Sequence, residues 1–516
     1  MKIIKQFLIF AELLLGMSAV LLSAEVSKSA TKPNILIILV DDMGYSDIGC
    51  YGSEIKTPNI DQLAKGGMKF AQMYNTAKCY PTRASLQTGV YFQRTDRDFS
   101  KTATLGEVLR PAGYTTLWSG KHHAQFNPVT RGYDRYFGLI GGAENHFRPG
   151  QEKEKDWALD GEKPATKESG FYSTDAYTDK ALKWLDEYNK EAKPFLLYVA
   201  YTAPHWPLQA WPEDIAKYKG VYDLGHEAIR NARYERQITL GLVDPKTTPL
   251  SGIEQEKKNS KSWAEMSPAE QKNQAALMEI YAAMIDRVDQ NVGRLMQRLK
   301  DQGKLDNTLI LFMADNGGCA ESPKSKDADP NAPMGSVNSF LSYGSGWASV
   351  SNTPFRKWKQ DSFEGGIATP LVAHWPAGIK PQANWNREAV HLIDIMPTLV
   401  AVSGANYPGA SKQSNIAAMD GVSLMPSFKG QSIVRKNPLF FEFGRGAAMY
   451  DGQWKLVRSG LTWELYNLRS DRSEIKNLAD KHPEIVKNMD TQWKAWWKEC
   501  TENEWTGIHP KDKENK

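Results

Sequence analysis

Residues 79–89, CYPTRASLQTG, place a cysteine four residues before an arginine where a helix-like stretch begins. Four residues is about one helical turn, so Cys79 and Arg83 share a side. A helix start with an arginine one turn on suits an anion, through backbone N–H groups and the dipole. In that setting Cys79 reads either as a nucleophilic thiolate of lowered pKa or as a buried structural cysteine, and residue types alone do not separate the two. A second group stands just after four apolar runs. Asp41 and Asp42 follow NILIILV; Lys121, His122 and His123 follow residues 115–119 and Gly120; His205 follows FLLYVAY by three residues; Asp315 and Asn316 follow TLILFMA. Any one aspartate there could be a turn or cap residue. Three carboxylates together repel and stay ionised only beside a compensating cation. Three carboxylates and an amide are hard oxygen donors, which suit Ca²⁺ or Mg²⁺ better than zinc.

The runs that must position these groups are apolar and β-branched, as in strands buried on both faces. They cover residues 34–40, 115–119, 195–201, 308–314 and 369–375, and all five read as parallel strands. Helical patterns separate them. The clearest spans residues 274–299, with apolar positions three and four apart and Gly303 as its stop. Alternating strands and helices predict an α/β fold around a mostly parallel sheet, and in such sheets ligands bind outside the carboxyl ends of the strands. Residues 206–275 are polar and charged and read as an insertion of short helices and loops. Residues 317–352, rich in Ser, Gly, Pro and Asn, read as a long functional loop. Beyond residue 431, short segments at 439–443, 447–450, 454–458 and 463–466 predict a small antiparallel sheet. A helix over residues 483–500 then docks on it through Trp493, Trp496 and Trp497.

The 516 residues are 41% hydrophobic and 24% charged, which excludes disorder, collagen and coiled coil as descriptions of the whole. A net charge of +4 gives no case for a nucleic-acid partner. Four cysteines, at 50, 79, 319 and 500, are too few for a disulfide scaffold. Lys2 and Lys5 precede an apolar run, interrupted by Glu12, that ends at small residues Ser23 and Ala24. This predicts a signal peptide over residues 1–24, with a second cleavage site after Ala30, an exported protein, periplasmic or secreted, and no lasting membrane association. His226, His374, His391, His482 and His509 lie in no such pattern and read as structural or surface residues.

Cys-x-Pro-x-Arg followed by x-Ser-Leu-x-Thr-Gly resembles the signature of the type I sulfatases of the alkaline phosphatase superfamily. Other pieces follow in order: KPNILIILVDDMGYSDIGCYG, SGKHH, YTAPHWP, ILFMADNGG, NTPFRKWKQDSFEGG and LYNLRSDRSEIKNLA. The likeness covers essentially the whole mature chain and is nearest to bacterial arylsulfatases, through HWPLQAW, YKGVYDLGHEAIRNARYERQ and the segment around Lys359. Thr82 stands where the family more often has Ser. His122 stands where it usually has an apolar or aromatic residue, so His123 aligns with the catalytic histidine.

The resemblance implies an alkaline-phosphatase-like core over residues 31–430 and a small α+β subdomain over residues 431–516. It implies that a maturase oxidises Cys79 to Cα-formylglycine. It implies Ca²⁺, with Mg²⁺ as the other choice, on Asp41, Asp42, Asp315, Asn316 and residue 79. Arg83 would hold the hydrated residue and offset charge; Lys121 and Lys359 would grip sulfate. His205, with Lys359, would protonate the leaving oxygen, and His123 would take a proton in the elimination step. The expected substrate is an aryl sulfate or a sulfated carbohydrate. Two alternatives stand beside it: a phosphate or phosphonate hydrolase of the same superfamily, and an exported binding protein that keeps the fold without the chemistry.

Overall fold

The computed structural model describes residues 32–95, 98–148, 157–162, 170–254, 261–325, 328–410 and 414–505. The leader expected over residues 1–24, and His509, lie outside the described residues. Among the described residues no helix is long and apolar enough to cross a membrane.

The apolar runs form the middle of a nine-stranded sheet in the order β5-β4-β3-β6-β1-β7-β8-β2-β9. Its strands are β1 (Asn34–Val40), β2 (Met68–Tyr74), β3 (Thr115–Gly120), β4 (Arg135–Leu139), β5 (Trp157–Leu159), β6 (Phe195–Ala200), β7 (Thr308–Ala314), β8 (Ala368–His374) and β9 (Val390–His391). β4, β3, β6, β1 and β7 are parallel neighbours. Alternate residues of β1 feed two cores. Leu36, Ile38 and Val40 pack in the core that contains Trp184 and Met284 from helices Ser173–Glu187 and Pro268–Asp301. Ile35, Ile37 and Leu39 pack in the core that contains Leu86 of helix Cys79–Thr88 and Met396 and Leu399 of helix Ile395–Ser403. With helices on both faces, a central strand needs no polar face, hence its unbroken apolar run.

One strand runs against expectation. Residues 369–375 read as parallel, but β8 pairs antiparallel with β7, in the register Ile310↔His374 and Met313↔Leu371. The chain enters β8 directly from the short helix Glu364–Ile367, which lies at the edge where β7 ends, so β8 has to run back. The long helix begins earlier than its apolar stripe, at Pro268, because Ser267 and Glu270 cap its first turn reciprocally. Residues 206–275 hold a 15-residue helix, Gly225–Thr239, and are not only surface: buried Arg233 donates to Asp47 Oδ1 at 2.6 Å and Glu54 Oε1 at 2.7 Å. The stretch 317–352 ends in a helix, Gly344–Ser351.

The C-terminal meander is as expected: β10 (Leu439–Phe443), β11 (Gly446–Tyr450), β12 (Trp454–Ser459) and β13 (Glu464–Asn467), antiparallel in sequence order. Helix Pro483–Thr501 covers it, with Trp496 stacked on Phe440 at 4.9 Å and the Trp493 indole donating to Phe441 O at 3.2 Å. This sheet is fastened to the core through a buried ionic cluster. Lys455 of β12 lies 2.9 Å from Glu364 and 2.7 Å from Glu474, and Arg472 lies 3.2 Å from Glu364. Arg356 donates to Glu474 O at 2.8 Å. The segment holding Lys359 is therefore clamped on both sides by the C-terminal part of the chain, through Lys455, Arg472 and Glu474.

Gly120 closes β3 at φ +122°, and a Cβ there would sit 2.0 Å from Ala200 O, the carbonyl that accepts the Lys121 N–H at 2.8 Å. Gly120→Ala is expected to cost about 3 kcal/mol of stability, from left-handed strain and a backbone clash together. Urea unfolding measures it.

Candidate active site

The carboxyl edge of β1, β3, β6 and β7 gathers the residues picked out in the sequence. Asp41, Asp42, Lys121, His205, Asp315 and Asn316 are all buried, as are Cys79, Arg83 and Lys359. Asp41 and Asp42 are fixed by the neighbouring strands: Asp41 N–H donates to Ala203 O at 3.2 Å and Asp42 N–H to Asp315 Oδ1 at 3.2 Å. Cys79 is the first residue of its helix and Arg83 lies one turn on. The Arg83 guanidinium donates to Asp315 Oδ2 from Nε at 3.1 Å and Nη2 at 2.8 Å, and from Nη1 to Lys121 O at 3.1 Å. Its Nη2 also lies 3.3 Å from Asp41 Oδ2. The Lys121 ammonium donates to Asp41 Oδ2. Lys359 Nζ lies 2.8 Å from both oxygens of Asp42, and Asn316 Nδ2 donates to Asp42 Oδ1 at 2.7 Å.

Three carboxylates thus face three cations. Burial pushes the Asp41 carboxyl up, but Lys121, His205 and Arg83 hold it far below the usual carboxylate range. Burial and the Asp41 charge push Asp315 up, against Arg83 and Lys121. Two oxygens are left over. Asp41 Oδ1 and Asn316 Oδ1 are buried without a hydrogen-bond partner. A buried acceptor left unmade costs about 1–3 kcal/mol, so a pair of them at one edge marks a place made for something else. One ligand atom from each of Asp41, Asp42 and His205 lies within 4.8 Å of the others. The oxygens of Asp41, Asp42 and Asn316 fit a hard divalent cation, and the imidazole nitrogen of His205 is not a donor of that kind.

At position 79 burial and the charges of the site oppose each other: burial pushes the Cys79 pKa up, and Lys121 and Lys359 do not reverse it against Asp41 and Asp315. A helix start lowers a thiol pKa where water reaches it, and here desolvation dominates.

The two adjacent histidines separate. His122 sits among aromatic rings, 4.4 Å from Phe126 and 4.7 Å from Trp118 between ring centroids, and burial lowers its pKa to about 3. It is a packing residue. His123 turns away at φ +64°, its ring 5.9 Å from that of Tyr80, next to Cys79. Gly142 leaves room for it: a Cβ there would stand 2.6 Å from His123 Nε2. Burial, then Lys121 and Arg83, push the His123 pKa far down, so the ring is neutral here, and an anion bound between those two cations would oppose that push. His205 Nδ1 lies 2.6 Å from Trp206 O, which can only accept, so Nδ1 carries the hydrogen and Nε2 faces Asp42 Oδ2 at 3.5 Å. Burial lowers its pKa to about 4, against the pull of Asp42.

Asp42, Ala77, His123, Lys357 and Gln360 all hold positive φ without being glycine. Each such residue costs about 1–3 kcal/mol, and such strain gathers where a site over-determines its backbone. Two of them are joined, Gln360 N–H donating to Ala77 O at 2.7 Å, which ties the Lys359 segment to the Cys79 segment. The site also contains Trp206 and Gln360, which lie inside quoted motifs without a role of their own, and Glu321, which no motif includes. The last stands in a polar loop with neither a strand before it nor a repeat around it.

A mostly parallel sheet with oxygen ligands, a buried cysteine and three cations at its carboxyl edge defines an alkaline-phosphatase-like hydrolase of anionic esters. The chain belongs to the sulfatase family, whose model matches residues 33–405, and it is a sulfuric ester hydrolase. The C-terminal model of N-sulphoglucosamine sulphohydrolase matches residues 357–499. An uncharacterized sulfatase of Schizosaccharomyces pombe is 33% identical over 90% of this chain and 93% of its own. The arylsulfatase of Klebsiella aerogenes is 33% identical over 76% of this chain and 91% of its own. The crystal structure of Ps i-CgsB in complex with a neocarrahexaose superposes with a TM-score of 0.67 at 26% identity, covering 94% of this chain and 96% of that one.

Proposed function

We propose that the enzyme cleaves aryl sulfates and sulfated saccharides with Cys79 converted to Cα-formylglycine and Ca²⁺, or Mg²⁺, held by Asp41, Asp42, Asp315, Asn316 and an oxygen of residue 79. The observation that carries this reading is the pair of buried, unpartnered oxygens, Asp41 Oδ1 and Asn316 Oδ1, at the same edge as a buried cysteine on the first turn of its helix. When present, the cation supplies Lewis-acid polarisation and the hydrated aldehyde supplies an attacking hydroxyl and a second one through which sulfate leaves.

The chain's own groups do the rest. Lys121 and Lys359 bind the sulfate oxygens, where charge concentrates in the transition state. Arg83, held by Asp315, holds the hydrated residue 79 and offsets charge. His123, neutral, accepts a proton as sulfate is released. Lys359 Nζ, beside Asp42, carries a proton for the leaving oxygen, and His205 shares that role through Nε2 in its imidazolium form, which a bound sulfate anion favours. The saccharide half of the substrate range rests on the likeness to Ps i-CgsB, which was crystallised with k-i-k-neocarrahexaose.

The same reading places a catalytic domain over residues 31–430 and a smaller subdomain over 431–516, with a formylglycine-generating maturase as partner and export to the periplasm or medium. Nucleic acid has no part in it. Hydrolysis of p-nitrophenyl sulfate is expected to exceed that of p-nitrophenyl phosphate by about 100-fold in kcat/KM, as differential binding at such a site allows. The reverse order makes the enzyme a phosphate or phosphonate hydrolase, and no turnover of either ester or of sulfated saccharides by protein with formylglycine verified at 79 makes it a binding protein.

A further inference from the structure

Glu321 receives donors from three other stretches of chain and from Cys319 beside it. Its Oε1 accepts from Lys78 Nζ at 2.8 Å and from Gln360 Nε2. Its Oε2 accepts from the Trp206 indole at 3.0 Å and from Cys319 Sγ at 3.4 Å, and lies 3.6 Å from Lys359 Nζ. Lys78 directly precedes Cys79, Trp206 directly follows His205, and Gln360 directly follows Lys359. One carboxylate therefore holds the chain neighbours of three site residues that no single secondary element connects.

The consequence runs through particular atoms. The indole bond fixes Trp206, whose own carbonyl fixes the His205 tautomer at 2.6 Å and whose ring lies 4.5 Å from the imidazole. On the other side, Lys359 Nζ stands between Asp42 and Glu321. Loops carrying catalytic groups drift unless something holds them, and a misplacement of about 1 Å can cost about 100-fold in rate. Arg83 and Lys121 have no contact with Glu321; they are held by Asp315 and Asp41.

We propose that Glu321 is a positioning residue for the leaving-group side of the site, setting His205 and Lys359 through Trp206 and Gln360. This rests on the reading that those two groups hold the leaving oxygen's proton. Glu321→Gln keeps the size but turns one acceptor into a donor that faces donors. The demand for a proton falls as the leaving group becomes a better anion, so the loss depends on the ester. Against phenyl sulfate, E321Q is expected to lower kcat/KM by about 100-fold, and against p-nitrophenyl sulfate by less than about 5-fold. Both are measured on protein whose formylglycine content at residue 79 is verified by peptide mass, because Lys78 touches the maturation segment. Trp206→Phe removes one of the N–H donors and is expected to show the same split at smaller size, which keeps the inference testable if E321Q folds poorly. Equal losses on both esters, or none on either, overturn the role of Glu321 while leaving the sulfatase reading intact. Failure of the matured wild-type enzyme to hydrolyse either ester or sulfated saccharides overturns both.

Discussion

Cys79→Ala is expected to lower kcat for p-nitrophenyl sulfate by at least about 10⁴-fold, while changing the free energy of unfolding by only about 1 kcal/mol. The activity loss follows from where the residue stands. Cys79 is buried at the first turn of its helix, and the charges that act on it are Lys121, Lys359, Asp41 and Asp315. No other nucleophilic side chain described at this edge is set among both lysines and both aspartates. The stability change is small because the thiol makes no hydrogen bond that alanine would break open, and the change of volume is one sulfur atom. Unmaturated wild-type protein provides an independent comparison. Its thiol pKa is raised, so a host lacking a maturase should yield protein as inactive as C79A and just as stable. Residual activity of C79A within about 10-fold of wild type would move the nucleophile to another residue.

Much of this site can be read without coordinates because of how parallel sheets are built. A strand buried on both faces is apolar until it leaves the sheet, so the first polar residues after β1, β6 and β7 mark the edge where ligands bind. That logic finds Asp41, Asp42, His205, Asp315 and Asn316. It finds Arg83 through its turn spacing from Cys79. It fails for Lys359, which follows no strand and enters only by family likeness, and for the direction of β8, which depends on where the preceding helix sits. β2 and β4 escape because their runs, MKFAQMY and RYFGL, mix polar residues into the apolar pattern; β2 also carries an irregularity between Phe70 and Met73. The thiol of Cys79 shows a different limit. Helix position and nearby charge are visible in a sequence, but desolvation is a property of everything packed around the atom, and it decides the sign. Glu321 is the same case for geometry: Lys78, Trp206 and Gln360 converge on it from segments that are far apart along the chain.

Lys359→Ala should show whether the cation and Lys359 share Asp42. Lys359 Nζ is buried, 2.8 Å from both Asp42 oxygens. Without it Asp42 keeps the Asn316 amide at 2.7 Å and His205 at 3.5 Å, and burial of its charge is no longer offset by a cation at contact distance. Breaking a buried pair from one side costs about 3–5 kcal/mol, so metal-free K359A is expected to unfold at clearly lower urea than metal-free wild type. Calcium should then recover more stability in the variant than in wild type. In wild type, Arg83, Lys121 and Lys359 already balance Asp41, Asp42 and Asp315, and an added dication competes with Lys359 for Asp42. In K359A that competitor is gone, so calcium binds more tightly, and a ligand at a thousandfold excess over its Kd adds about 4 kcal/mol. Activity moves the other way. Even with calcium saturating, kcat/KM for p-nitrophenyl sulfate is expected to fall by about 10³-fold, because the developing sulfate charge has lost a buried donor. Titration calorimetry and urea melts with and without calcium separate these effects. An identical calcium-dependent shift in both proteins would place the ion away from Asp42, whatever the activity did.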